Sequence, residues 1–276
     1  MINKSSTMLS NINDNPAELS TNPRTRHEYL SAQPTRSAIG DRTAPIARRI
    51  FLLSPANIRG IRGSQIMRDG MQSGMAVRLH NQGVPLGEIF SFISGLYFRG
   101  KLAYAEKFAE VAGDVRAAYV ITASAGLIPC ETLVTLERLR EISAGEIDLA
   151  NEEYRGPVDR DSAALSELVG THCQVVLLGS IATSKYAEPL MECFGKQLLF
   201  PAEFVGRGDM SRGGLMLRCV STGVQLTYMP LAGAARHGSK PPKLARRLPH
   251  ACQSLPPALP QSLPGMNAPR ARSGNL

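Results

Sequence analysis

Cys173-Gln174-Val175-Val176-Leu177-Leu178-Gly179-Ser180 is the most strand-like stretch of this chain, and its neighbours decide the fold. Four consecutive apolar side chains without alternation fit a strand covered on both faces, because a half-solvated strand would alternate with polar residues. Downstream, Tyr186–Phe194 reads as a short helix, Lys196–Phe204 (KQLLFPAEF) as a second strand, Asp209–Val220 as a helix behind a glycine-rich turn, and Gln225–Ala232 (QLTYMPLA) as a strand. Upstream, Asp161–Val169 reads as a helix after a charged loop, and Ala117–Ser124 (AAYVITAS) as a strand. Pro85–Val111 places apolar residues at three- and four-residue spacing, which predicts a helix, and Ile50–Ala56 (IFLLSPA) is the first strand. Strands alternating with helices predict a single α/β domain with a mostly parallel sheet of five or more strands, flanked by helices. In such a sheet ligands meet the loops at the carboxyl ends of the strands.

The chain has 276 residues, 43% of them hydrophobic and 20% charged, enough apolar material for one sizeable core. Aromatics are 5% and Trp is absent, which argues against a surface of stacking platforms for single-stranded nucleic acid. No apolar run is long enough to span a bilayer and the N-terminus lacks a secretory pattern, so a cytoplasmic protein without a membrane partner is expected. The five cysteines, Cys130, Cys173, Cys193, Cys219 and Cys252, show neither CxxC nor close pairing. Neither a zinc site nor a disulfide framework is expected, and no dinucleotide or haem-attachment motif calls for a redox cofactor.

The formal charge of +8 is unevenly placed. Residues 1–45 carry 5 basic and 4 acidic side chains, and residues 240–276 carry 6 basic and none acidic. The 46–239 core therefore holds 20 basic and 19 acidic residues and is close to neutral. The first 45 residues are rich in Ser, Thr, Asn and Pro, and the last segment holds 8 of the 19 prolines; both read as disordered tails around one domain. The basic, proline-rich tail would attract nucleic acid non-specifically or dock a protein partner through a polyproline helix.

Four loops carry the candidate site residues. After the first strand come Ser54, Asn57, Arg59 and Arg62 among glycines, a pattern that serves either an anion site or a turn with solvated arginines. After the second come Thr122, Ser124 and Gly126, whose small size would keep a crevice open or satisfy a tight turn. After the third, Ser180, Thr183, Lys185 and Tyr186 stand near a helix start, where Thr183 or Ser184 serves as a cap or the free amides hold an anion. The fourth, Glu203–Gly214, holds Arg207, Gly208, Asp209 and Arg212. Its backbone amides and arginines would clamp a phosphate, with Asp209 as acid-base group, helix cap or arginine partner.

Other stretches compete with these. In Leu96–Lys101, Tyr97 and Phe98 read as core while Arg99 and Lys101 could face a site. Asn151–Asp161 is acidic without a metal-ligand register and reads as a solvated loop, and no metal site is expected. Cys130 is the one cysteine beside a candidate loop and reads as a buried small hydrophobe. His237, near the last strand, is a further site candidate, and adjacent His172 and Cys173 make no nucleophile–base pair.

Taken in order, these loops resemble the bacterial YaaA family, associated with resistance to peroxide stress. Leu-Leu-Ser-Pro-Ala-Asn (52–57) is similar to its opening strand and Ser-Pro-Ala-Lys. Ile121–Pro129 (ITASAGLIP) resembles its Gly-Leu-x-Pro segment, Leu178–Tyr186 its Leu-Ala-Ser-Asn-Glu-Tyr, and Gly206–Arg212 (GRGDMSR) its Ala-Arg-Gly-x-Met-Ala-Arg. Asn57 replaces the family's lysine, Lys185 its glutamate, and a small residue its tyrosine in the second motif. The resemblance spans residues 50 to 233 and implies a mixed α/β domain linked to DNA binding and protection of DNA from oxidative damage. It carries over Ser54, Gly126, Ser180, Tyr186, Arg207, Gly208, Met210 and Arg212.

Two functions follow. One is a nucleic-acid-associated protein whose core holds a phosphate-bearing group in a crevice formed by the four loops; its near-neutral core counts against a duplex-binding face. The other is an enzyme acting on a nucleotide, nucleoside or base, with Arg207 and Arg212 orienting a phosphate and Asp209 moving a proton. A non-catalytic interaction protein is the third reading.

Overall fold

The computed structural model describes residues 47–68, 70, 74–242 and 244; the expected tail over residues 1–45, and that over 240–276 except for 240–242 and 244, lie outside the described residues. In chain order the elements begin with β1 (Ala47–Leu53), α1 (Ile61–Ile66), α2 (Gly74–Asn81), β2 (Val84–Pro85), α3 (Leu86–Ser94) and α4 (Leu96–Phe108). They continue with β3 (Glu110–Val111), β4 (Ala118–Ile121), β5 (Leu127–Pro129), β6 (Leu133–Val134), α5 (Leu136–Ile142) and α6 (Glu152–Val169). The last are β7 (Gln174–Leu178), α7 (Ser184–Phe194), β8 (Leu198–Pro201), α8 (Asp209–Thr222) and β9 (Tyr228–Pro230).

The fold is mixed α/β. A seven-stranded sheet runs β5-β4-β1-β7-β8-β9, with β3 paired to β1. Its four central strands are parallel, and β5, β9 and β3 are antiparallel additions. β1 lies between β4 and β7, so Ile50, Phe51, Leu52 and Leu53 are all fully buried, as are Val175 to Leu178 on β7. This two-sided burial is why these strands carry unbroken apolar runs. The first strand in sequence has later strands on both sides, so the chain leaves β1 for β4 on one side and β7 on the other. That arrangement opens a crevice at the carboxyl ends of β1 and its neighbours.

Several expectations are corrected. The strands are shorter than their apolar runs: Ser54–Ala56, Thr122–Ser124 and Ala202–Phe204 continue buried or half-buried beyond the last paired residue. The single helix expected over Pro85–Val111 is two, broken at Gly95, which has φ +61°. Asn151–Asp161 is not a loop: Asn151 caps α6 by accepting from the Glu153 N–H, and Glu152 and Glu153 occupy the first turn, where the helix dipole favours acids.

α4 crosses α8 at very short range. A Cβ at Gly213 would lie 2.7 Å from the Leu96 carbonyl oxygen and 2.8 Å from Tyr97 Cα, and one at Gly100 would lie 2.8 Å from the Gly213 oxygen. The glycines thus bring two backbones into contact. Two of the glycines expected to cradle a phosphate therefore have a packing job instead: Gly213 here, and Gly206, at φ +71°, against the Ser239 carbonyl. No helix among the described residues is long and apolar enough to cross a membrane.

Candidate functional site

A crevice of about 390 Å³ opens at the carboxyl ends of the central strands. The β1 loop contributes Pro55 to Arg59, the β4 end Thr122 and Ala123, the first turn of α7 Lys185 and Tyr186, and α3 contributes Phe90. Its remaining wall runs from Ile142, the last residue of α5, to Ile147. Phe90, Ile58, Ile142, Ile147 and Tyr186 supply apolar surface, and Asn57, Arg59, Ser143, Glu146 and Lys185 supply polar groups. A concave apolar site with few convergent polar groups suits a small ligand.

Within the wall, Arg59 donates from Nη1 to Glu146 at 3.1 Å and from Nη2 to the Gly145 carbonyl at 2.9 Å, tying the β1 loop to the segment after α5. The Asn57 side chain accepts from the Arg59 N–H at 3.1 Å, which fixes the turn. Thr122 donates to the Gly126 carbonyl at 2.9 Å and accepts from the Ala125 N–H at 3.0 Å, so its hydroxyl braces the loop. Lys185 Nζ lies 5.3 Å from the centroid of the Tyr186 ring. The Tyr186 phenol is pushed up to about 12, first by burial and then by the charge of Asp209.

Other expected residues stand apart from the crevice. Arg62 on α1 donates to the Phe92 carbonyl at 3.4 Å, and Ser124 donates to the Glu141 carbonyl at 2.7 Å. Ser180 accepts from the Ala182 N–H at 3.3 Å, and Thr183 stands at the N-cap of α7 without a side-chain cap bond. Arg207 donates to the Glu203 carbonyl at 3.0 Å, to Ser211 Oγ at 3.3 Å and to the Pro242 carbonyl at 3.4 Å. Gly208 is the exposed N-cap of α8, and Met210 and His237 are exposed.

Gly126 has φ +67°, and a Cβ there would lie 2.0 Å from Asp161 Oδ2 and 2.6 Å from the Pro157 carbonyl. That carboxylate accepts from the Leu127 N–H at 3.0 Å, so α6 is pinned to β5 through this turn. Gly126→Ala is expected to cost about 3 kcal/mol, combining a left-handed backbone with a displaced hydrogen bond; urea unfolding of the full chain measures it.

Ser54, Arg212 and Asp209 gather in a second cluster beside the crevice, around Lys101. Lys101 of α4 is 1% exposed, and its ammonium donates to the Ser54 carbonyl at 2.6 Å and to Ser54 Oγ at 3.0 Å. The rings of Tyr97 and Phe98 lie with centroids 4.4 Å and 4.9 Å from Nζ. Burial drives Lys101 down to about 7, partly opposed by Asp209. Arg212 is buried, donates from Nε and Nη2 to the Phe204 carbonyl at 3.2 and 3.1 Å, and has Nη1 3.6 Å from Asp209 Oδ1.

No family model, curated protein or solved structure matches this chain. Cys130 is buried and its thiol is pushed far up, chiefly by burial, so it lacks the thiolate character of a redox-active cysteine. Among the described residues no three His, Cys, Asp or Glu side chains form a metal-holding group.

Proposed function

We propose that this domain binds a single nucleotide unit in the crevice at the carboxyl ends of β1, β4 and β7. The observation that carries the reading is the crevice itself: about 390 Å³, enclosed by the β1 loop and the Ile142–Ile147 segment, with the Tyr186 and Phe90 rings in its wall. That volume suits a nucleoside rather than a duplex. Asn57 and Ser143 offer donors and acceptors for a base edge, and Lys185 offers a cation for the anionic part of the ligand. The nearly neutral 46–239 segment, with 20 basic and 19 acidic residues, also favours a pocket over a duplex-binding face. The likeness to the YaaA family would set this nucleotide in the protection of DNA from oxidative damage.

Thermal shift and calorimetry of the full chain with nucleosides and nucleoside mono-, di- and triphosphates test the proposal. At least one nucleotide is expected to raise Tm, and Lys185→Ala is expected to weaken its binding about tenfold, the loss of one exposed ionic contact in a partly desolvated site. Fluorescence anisotropy with duplex DNA across a salt series is the counter-test. Duplex binding that Lys185→Ala leaves unchanged, with no response to any nucleotide, would overturn the reading.

A further inference from the structure

The buried polar and charged side chains among the described residues are Ser54, Lys101, Thr122, Ser162 and Arg212. Two of the five are cations and none is a carboxylate. Lys101 comes from α4 and Arg212 from α8, the helices held in backbone contact by Gly100 and Gly213. Buried charge is expensive unless an opposite charge faces it. Asp209, the carboxylate acting on both cations, is 64% exposed and 3.6 Å from Arg212, too solvated to balance them. The Tyr97 ring lies 4.4 Å from Lys101 Nζ, and its hydroxyl, in a residue 93% buried, makes no hydrogen bond of ordinary geometry although Arg212 is close enough to favour its ionised form. With Lys101 protonated, two buried cations share one solvated carboxylate beside a buried hydroxyl without an acceptor, which is a site short of one anion.

We propose that Tyr97, Arg212 and the amino end of α8 bind a phosphate-type oxyanion, with Lys101 as its buried countercharge. The Tyr97 hydroxyl and the Arg212 guanidinium donate to the anion, and Arg212 itself stands in the first turn of α8, whose N-cap Gly208 supplies no side-chain acceptor, so that helix end favours an anion. Tyr186 relates this site to the crevice: it lines the crevice wall, and the charge of Asp209 raises its phenol. As the phosphate subsite of a bound nucleotide, the inference rests on the proposed function; as an anion site it stands alone.

Lys101 makes the binding report itself. The groups facing it are Ser54 just after β1, Asp209 and Arg212 from α8, the Cys130 thiol after β5, and Tyr97 and Phe98 on its own helix. With a lysine that titrates near 7, the free protein at pH 8 holds Lys101 mostly neutral. An arriving anion stabilises the ammonium, so binding takes up a proton.

The test is calorimetry on the full chain at pH 8 in two buffers of different ionisation enthalpy, with inorganic pyrophosphate and separately with the nucleotide panel. Pyrophosphate is expected to bind with net proton uptake. Tyr97→Phe, which removes only the hydroxyl, is expected to weaken it about tenfold. Lys101→Met is expected to abolish the uptake, and Tyr97→Phe keeps the test decisive should that variant fail to fold. Nucleotide binding without proton uptake and indifferent to Tyr97→Phe would overturn the anion site and leave the crevice reading standing. Pyrophosphate binding with uptake while no nucleotide or nucleoside binds would uphold the site and sink the nucleotide reading. Silence from both ligands would overturn both.

Discussion

Gly213→Val is expected to abolish folding of this domain, whereas Gly214→Ala, one residue along the same helix, leaves it as stable as before or slightly more so. The contrast follows from what each added carbon would meet. At Gly213 the three nearest atoms are all backbone: the Leu96 oxygen at 2.7 Å, Tyr97 Cα at 2.8 Å and the Leu96 carbon at 2.9 Å. None can rotate away, so α8 would have to withdraw from α4. That withdrawal would pull on Tyr97, Phe98, Tyr104, Ala105 and Phe108 on one helix and Met216 and Cys219 on the other, all buried in the common core. Overpacking costs about 1 to 3 kcal/mol where side chains can adapt, and more where only backbone can move. Gly213→Ala should therefore lose about 3 kcal/mol or more, and the larger Val should exceed the 5 to 15 kcal/mol typical of a whole domain's stability, or come close to it. At Gly214 the added carbon meets only Leu244 Cδ1, at 3.6 Å, an ordinary contact. The gain in helix propensity from Gly to Ala there is about 0.5 to 1 kcal/mol. Chemical denaturation of the two alanine variants and the wild type measures the difference; equal stabilities would refute the close crossing.

That pair of glycines also marks where sequence reading stops. Gly206 to Gly214 has the composition of a phosphate-cradling loop, and composition does not distinguish a glycine that approaches a ligand from one that approaches another helix. The partner of Gly213 is the backbone at Leu96, more than a hundred residues away in the chain, and no local pattern reports it. The central strands were legible because two-sided burial forces an unbroken apolar run, as in Val175 to Leu178. Their ends were overextended because Ser54, Pro55 and Ala56 stay in or near the core after pairing has ended. The break at Gly95 was hidden because apolar residues keep helical spacing across it, and β5 was hidden because Gly-Leu-Ile-Pro reads equally as a turn. In the crevice, Asn57, Arg59, Thr122, Lys185 and Tyr186 were found because strand ends point to them. The wall from Ile142 to Ile147 was not, because it follows a short helix that gave no separate periodic signal. Lys101 was visible only as a polar residue on an amphipathic helix; what makes it unusual is a bond to Ser54, 47 residues earlier.

Lys101→Met is expected to stabilise the ligand-free protein at pH 6, by a few kcal/mol, and to flatten its pH dependence. In the native state the lysine titrates near 7, whereas the unfolded chain holds it near its ordinary 10.5. Between these values the unfolded state binds more protons than the native one, so stability rises with pH through that window. Below about 7 both states are protonated, and the wild type carries the full cost of a buried ammonium whose acceptors are Ser54 O and Oγ. A shift of this size corresponds to roughly 5 kcal/mol between the two ends of the window, an upper figure because local relaxation lets water reach the charge. Methionine has nearly the same length, lies against the Tyr97 and Phe98 rings without charge, and removes the penalty; the Ser54 carbonyl and hydroxyl each lose a partner, which returns about 2 kcal/mol of the gain. Urea midpoints of both proteins at pH 6 and pH 9.5 measure the effect. A wild type more stable than Lys101→Met at pH 6 would mean that the ammonium is already compensated by groups of the protein itself. A lysine that weakens the free fold at neutral pH is kept at the expense of stability, and the trade makes physical sense if its charge is completed by something that binds.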